Sequence, residues 1–199
     1  ALRKIESKDY NVAILDDGFQ DNSIVKDLNI LCFNENQLIG NGMVMPSGPL
    51  RQPLNSIKKS HIIIINGSTN INFENLIYKF SKDIVIFYSK YIPTNIDKFK
   101  DKELLAFAGI GNPENFFHLL DENNLSIKKK ISFPDHYNYH KNELEDILKI
   151  AKENNLEVIT TEKDYFRINE MGFSNINYLK IQLKIKHEED LLKEIKKYI

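Results

Sequence analysis

The 199-residue sequence predicts an α/β protein with mainly parallel sheets, organised as two successive domains. Three observations carry this. Short apolar runs recur along the chain, the clearest being Ile62-Ile63-Ile64-Ile65, closed by Asn66-Gly67. Runs of that length, bounded by turn formers, read as buried strands. Between them lie amphipathic stretches with helical spacing, such as 142–153 with Leu144, Ile147, Leu148 and Ala151. Finally, Tyr91 to Lys102 is polar, contains Pro93 and lacks periodicity, which predicts a domain boundary separating 1–92 from 93–199.

In chain order, 10–15 reads as the first strand and 28–33 as the second. Residues 34–51 hold Gly40, Gly42, Gly48, Pro46 and Pro49; a loop this long inside a compact domain is usually functional or disordered. A short helix is expected over 53–59, a strand over 61–66, a helix over 73–81 with Phe73, Leu76, Ile77 and Phe80 on one face, and a strand over 84–88. After the boundary the pattern predicts strand 104–108, helix 113–122, strand 127–133, helix 142–153, strand 158–161, short helix 164–168, strand 177–183 and helix 188–198. Strand-helix alternation of this kind implies right-handed crossovers.

Bulk properties exclude several classes. A net charge of -1 predicts no polyanion-binding surface and hence no nucleic acid. Cys32 is the single cysteine, so neither a disulfide framework nor a cysteine-based zinc site is available. No apolar run reaches membrane-spanning length. The chain starts without Met and runs quickly into what reads as an interior strand, which points to a fragment or a separately cut domain.

The chemistry-bearing residues sit where strands are expected to end. Asp16-Asp17-Gly18-Phe19-Gln20 follows the apolar run Val12–Leu15. Ligands in open α/β sheets bind at the carboxyl ends of strands, and aspartates there commonly hold Mg²⁺ against nucleotide phosphates; Asp-Asp-Gly is equally good turn chemistry. Arg51, closing the Gly/Pro-rich loop, offers a planar fork of donors that matches phosphate oxygens. Gly109-Ile110-Gly111-Asn112-Pro113-Glu114 opens a helix, with Asn112 suited to the N-cap and Pro113 to the first turn. Glu114 stands where a dinucleotide fingerprint has glycine, so a capped turn is the better reading. In Phe133-Pro134-Asp135-His136 the carboxylate can orient the imidazole for proton transfer, or the pair can be an exposed Asx turn. His136 and His140 lack the further ligands of a zinc site. In Thr160-Thr161-Glu162-Lys163-Asp164, Thr161 and Asp164 have capping-box spacing, leaving Lys163 to surface or site. The lysines of 128–130 and of the last helix read as solvated faces.

Taken in order, Asp16–Gln20, Gly40–Gly42 leading to Pro46–Arg51, Phe107–Pro113, Phe133–His136 and Thr160–Asp164 resemble the tetraacyldisaccharide 4'-kinase family, the lipid A 4'-kinases of Gram-negative bacteria. Each motif alone is weak; the ordered set is specific and covers most of the chain. The resemblance implies a P-loop kinase-like portion followed by a smaller, Rossmann-like α/β domain, the two flanking a cleft and joined by a thin β linker near 86–103. It implies transfer of the ATP γ-phosphate to the 4'-hydroxyl of a tetraacyldisaccharide 1-phosphate at the cytoplasmic face of the bacterial inner membrane. On this likeness Asp16 and Asp17 serve Mg²⁺, Gln20, Arg51 and Lys163 lie toward the nucleotide, and Asp135 and His136 support catalysis from the second domain.

The chain departs from the family in three ways. It has no Gly-x-x-x-x-Gly-Lys-Ser/Thr, Asp21 stands where the family often has histidine, and Gln52 where it often has an acidic residue. The phosphate loop, the carboxylate that activates the sugar hydroxyl and the membrane anchor belong to the family's N-terminal portion, so the isolated chain is expected not to catalyse the transfer. Two alternatives stay open: a non-catalytic α/β module binding nucleotide or lipid, and an Mg²⁺-dependent phosphatase, for which Phe19 stands where a second carboxylate is wanted.

Overall fold

The computed structural model describes residues 10–199. Strands β1 (Ile30–Asn34), β2 (Ile62–Asn66), β3 (Val85–Pro93) and β8 (Ile181–Ile185) form one four-stranded sheet in the order β1-β2-β3-β8. Strands β4 (Glu103–Ala108), β5 (Ser126–Ser132), β6 (Glu157–Thr161) and β7 (Asn177–Leu179) form a second, in the order β5-β4-β6-β7. The β1/β2 and β2/β3 ladders and every ladder of the second sheet are parallel. The helices are α1 (Ile71–Tyr78), α2 (Pro113–Glu122), α3 (Lys141–Glu153), α4 (Glu162–Asn169) and α5 (Glu188–Ile195).

In the first unit the isoleucines of β2 alternate between two layers. Ile63 and Ile65 pack with Phe73 and Ile77 of α1. Ile62 faces the other way, toward Phe87 and Leu191 of α5. A parallel strand covered on both faces can be apolar throughout, which is why four isoleucines run in succession. Burying each is worth about 1.5–3 kcal/mol.

The second unit repeats the principle. Leu104, Ala106 and Ala108 of β4 pack with Phe116, Phe117 and Leu120 of α2. Leu105 and Phe107 pack on the opposite face with Leu144, Ile147 and Ala151 of α3 and Ile168 of α4. The edge strand β5 carries Lys128, Lys129 and Lys130, all exposed, and like charges along an edge oppose pairing with another chain. Lys128 and Lys130 are paired with Glu103 and Asp121.

The chain leaves β4 through α2 toward β5 on one side and leaves β6 through α4 toward β7 on the other. The crevice between the carboxyl ends of β4 and β6 is therefore the topological switch point of the second sheet.

The structure corrects four sequence expectations. Residues 10–15 form no strand: Ile14 is 92% exposed and its neighbours are exposed too. An apolar run becomes an interior strand only if partners pair with its backbone, and none does among the described residues. Strand β3 runs on to Pro93, through the start of the stretch read as linker; its exposed Lys90, Tyr91 and Ile92 hide the strand from an apolar pattern. The strand expected over 177–183 is two strands in different sheets, broken at Lys180. There the Asn95 carboxamide accepts from Lys180 N at 2.8 Å and donates to the Tyr178 carbonyl at 2.9 Å, while Thr94 N donates to the Lys180 carbonyl at 2.8 Å. These bonds take the backbone groups that would continue the β7 ladder.

The fourth correction concerns the C-terminus. From the sequence the second domain extends to residue 199; in the structure the chain divides into a first unit reaching Tyr91 and including Leu183–Ile199, and a second spanning Ile92–Gln182. The return is driven by burial of Leu191 against Ile62 and Phe87, and by Tyr198 packing on the His61 ring at 4.8 Å between centroids. The first nine residues, which fall in the first domain by sequence, lie outside the described residues.

Candidate functional site

In the first unit, Asp16-Asp17 turns into a single 3-10 turn, Gly18–Gln20. Asp17 adopts the left-handed region with φ 53°, which aspartate tolerates better than most residues. Asp16 and Asp17 are exposed and Gln20 is half-buried. The Gly/Pro-rich loop is tied by its own Asn41: Asn41 Nδ2 donates to the Ser47 carbonyl at 2.8 Å and Asn41 Oδ1 accepts from Met43 N at 3.1 Å. Leu50 N donates to the Met43 carbonyl at 3.1 Å and Met45 N to the Leu50 carbonyl at 2.9 Å. A Cβ at Gly48 would run into Asn41 Oδ1 and the Met43 carbonyl, so only glycine closes this loop.

The tied loop delivers Arg51 to Asp17. Arg51 Nη1 donates to Asp17 Oδ2, bringing together two motifs that lie apart in sequence. Both side chains remain open to solvent, 60% and 65% exposed, so the pair is weakly held and either partner can be redirected to a ligand. Nearby Gln52 is half-buried, with its Oε1 unpartnered.

The second unit assembles three other motifs around the switch-point crevice. Asp164 is fully buried. Its Oδ2 accepts from Gly109 N at 2.9 Å and from the Thr161 hydroxyl at 2.8 Å, while its own N–H donates back to Thr161 Oγ1 at 3.1 Å. The capping spacing read from the sequence is thus formed, but the carboxylate also reaches across the sheet to the Gly109 turn. An internal carboxylate occupies the amide that a bound phosphate takes in a dinucleotide site. A Cβ on Gly109 would lie 2.6 Å from the Tyr139 hydroxyl. Pro113 opens α2 as expected, with Asn112 at the N-cap position but making no side-chain cap.

Asp135 and His136 occupy the irregular loop after β5. Asp135 Oδ1 accepts from His136 N at 2.9 Å, and His136 Nε2 lies 3.9 Å from Asp135 Oδ2. The side chains are 49% and 73% exposed, and His136 has φ 55°. Asp135 also sits against Gly111, where a Cβ would lie 3.3 Å from Oδ2. Lys163 is exposed on the first turn of α4.

The structure thus joins Asp17 to Arg51 in the first unit, and Asp135 to His136 in the second. Among the described residues no three of His, Cys, Asp and Glu stand together as a ligand group, and no helix is long and apolar enough to cross a membrane. Sequence reasoning missed Tyr137, Tyr139 and Arg167. Arg167 Nη1 lies 3.8 Å from Asp164 Oδ1 and donates to the Tyr137 carbonyl at 3.4 Å. The aromatic density of 133–139 was the available signal, since Phe133, Tyr137 and Tyr139 pack mutually.

A family model described as tetraacyldisaccharide-1-P 4'-kinase matches residues 1–199. The chain is 42% identical over 198 residues to a tetraacyldisaccharide 4'-kinase of Pelagibacter ubique, covering 98% of this chain and 63% of that protein. It is 38% identical over 186 residues to the enzyme of the same name from Rickettsia akari, covering 92% of this chain and 55% of that one. Its fold matches the crystal structure of LpxK from Aquifex aeolicus in complex with ATP, with a TM-score of 0.62 and 25% identity over 91% of this chain and 55% of the other. The chain therefore spans between 55% and 63% of the length of these relatives. With the whole sequence inside the family match, the chain belongs to the tetraacyldisaccharide 4'-kinase family.

Proposed function

We propose that the chain forms part of an ATP-dependent kinase that phosphorylates the 4'-hydroxyl of a tetraacyldisaccharide 1-phosphate in lipid A biosynthesis, at the cytoplasmic surface of the bacterial inner membrane. The first unit supplies the nucleotide side: Asp16 and Asp17 for Mg²⁺, Gln20 and Arg51 for the nucleotide. In the second unit Asp135 and His136 support the catalytic carboxylate, and Lys163 contributes to nucleotide binding.

The observation that carries this reading is the Arg51–Asp17 pair, which sets a carboxylate and a guanidinium side by side in an open corner. The donors fit the implied groups. Mg²⁺ takes oxygen ligands and is commonly held by one or two carboxylates plus waters and phosphates, which two exposed aspartates can supply. Arg51 fits phosphate as it fits a carboxylate, by paired N–H donors. When bound, Mg²⁺ and ATP supply the transferable phosphoryl group and a cation that offsets charge on its oxygens. The protein's part is to place charge around that group rather than to form covalent bonds.

The test is phosphate transfer from ATP to the disaccharide by the complete enzyme. Asp16→Asn combined with Asp17→Asn removes Mg²⁺-dependent turnover, and a double variant with intact Mg²⁺ dependence overturns the metal assignment. Independently of activity, Mn²⁺ broadens the amide resonances of 16–20 in this chain; unaffected resonances there remove the corner as a cation site.

A further inference from the structure

We infer that Asp164 and Arg167 are positioning residues: through the Tyr137 carbonyl they fix the loop that presents Asp135 and His136. The inference rests on the proposed role of that pair. It starts from a buried charge larger than a helix cap requires. Thr161 Oγ1 already accepts the N–H of Asp164 in the first turn of α4, a cap that requires no buried carboxylate. Here the third residue is a carboxylate with no exposure, and one of its oxygens, Oδ1, makes no hydrogen bond. Arg167 Nη2 and the Tyr139 hydroxyl are buried beside that carboxylate. A carboxylate without exposure that faces both an arginine and a tyrosine hydroxyl is more than a helix cap requires.

What the cluster achieves is geometric. The 134–140 segment has no ladder of its own, yet it is held at several points. Phe133 N donates to the Ala108 carbonyl at 2.8 Å, at the end of β4. Arg167, one turn along α4 from Asp164, donates to the Tyr137 carbonyl, immediately after His136. The Tyr137 hydroxyl donates to Glu143 Oε1 at 2.7 Å, and Glu143 Oε2 accepts from His140 N at 2.9 Å. The Tyr139 ring packs on Phe107 and Phe133. Asp164 meanwhile holds Gly109, two residues from Gly111, against which Asp135 rests. Asp135 and His136 are therefore exposed side chains on a backbone fastened on both sides. Burial, and after it the Asp164 charge, push the pKa of the Tyr139 hydroxyl up, so it keeps its proton beside the carboxylate.

The experiment uses ¹⁵N-labelled chain. Arg167→Met and Arg167→Lys are compared with Ile168→Val, which trims the core beside Arg167 without touching the cluster. Expected for Arg167→Met is a fall in the backbone order parameters of 135–138 from about 0.85 to below about 0.6, with partial recovery in Arg167→Lys and none of this in Ile168→Val. Unchanged order in folded Arg167→Met, or an equal fall in Ile168→Val, overturns the inference. Asp164→Asn is a second route to the same readout. In the complete enzyme Arg167→Met lowers kcat about tenfold with the KM for ATP unchanged. A loosened loop with undiminished kcat rejects the proposed role of His136 and leaves the positioning intact; an unchanged loop rejects the positioning alone.

Discussion

Asp17 and Asp164 are both aspartates of the ordered motifs, and their surroundings make them opposites. Asp17 is solvent-exposed and shares one arginine across an open ion pair. Asp164 has no exposure, accepts from a backbone amide and a hydroxyl, and faces an arginine at 3.8 Å within the protein. An exposed pair contributes little to folding because water competes for both charges, and for the same reason it can exchange its partner for a ligand. A buried carboxylate cannot, because removing its partners leaves an uncompensated charge in low dielectric. The lesson is that a carboxylate in such a motif is open to a ligand only when the protein has not already used it.

The largest effect follows from removing the buried member. Asp164→Ala destabilises the fold by about 3–5 kcal/mol, since it orphans Gly109 N and leaves Arg167 without its counter-charge; urea unfolding followed by circular dichroism measures it, and a loss below 1 kcal/mol breaks the contrast with Asp17. Next comes Gly109→Ala, at about 1–3 kcal/mol, because the new methyl meets the Tyr139 hydroxyl. Combining it with Tyr139→Phe removes that collision, so the double variant is more stable than Gly109→Ala alone; strict additivity would show that the clash lies elsewhere.

A smaller effect concerns acid. The His140 amide, and after it the Tyr137 hydroxyl, hold the Glu143 carboxyl below its ordinary pKa. A folded-state value below the unfolded one means that the stabilisation is complete above the ordinary carboxylate range and is lost as pH falls through the folded value. Amide exchange of 137–143 therefore accelerates on acidification, and Glu143→Gln makes that exchange independent of pH in the same window once intrinsic rates are corrected. Smallest of all is Arg51→Gln. The exposed pair leaves the thermal midpoint unchanged while nucleotide affinity falls; a clear drop in midpoint with unaltered nucleotide binding would turn Arg51 into a structural residue.

How far each part was legible in the sequence follows from how local its cause is. Helix α2 begins at Pro113 and ends at Glu122 as read, because a proline start and an amphipathic stripe are local signals. Strand β2 was plain because both its faces are buried. The 10–15 run failed because apolar content says that a strand could be buried, not that a partner covers it. Lys180 failed because its break depends on Asn95, far away in the chain. Within the candidate site the ordered motifs pointed to Asp17 and Arg51, but their contact depends on Asn41 tying the intervening loop. Arg167 carried no signal, since an arginine in the last turn of a helix is ordinary chemistry.

The sequence by itself determined the α/β class, most element boundaries and the ordered motifs that mark the family, because periodicity, caps and turn residues act within a few positions. Only the tertiary structure decided that the last strand and helix return to the first unit, that Asp164 is consumed internally while Asp17 stays open, and that Arg167 reaches the loop bearing His136. Those outcomes turn on which strand ends become neighbours across a parallel sheet. Crossover connections bring together residues tens of positions apart, and no local pattern encodes that.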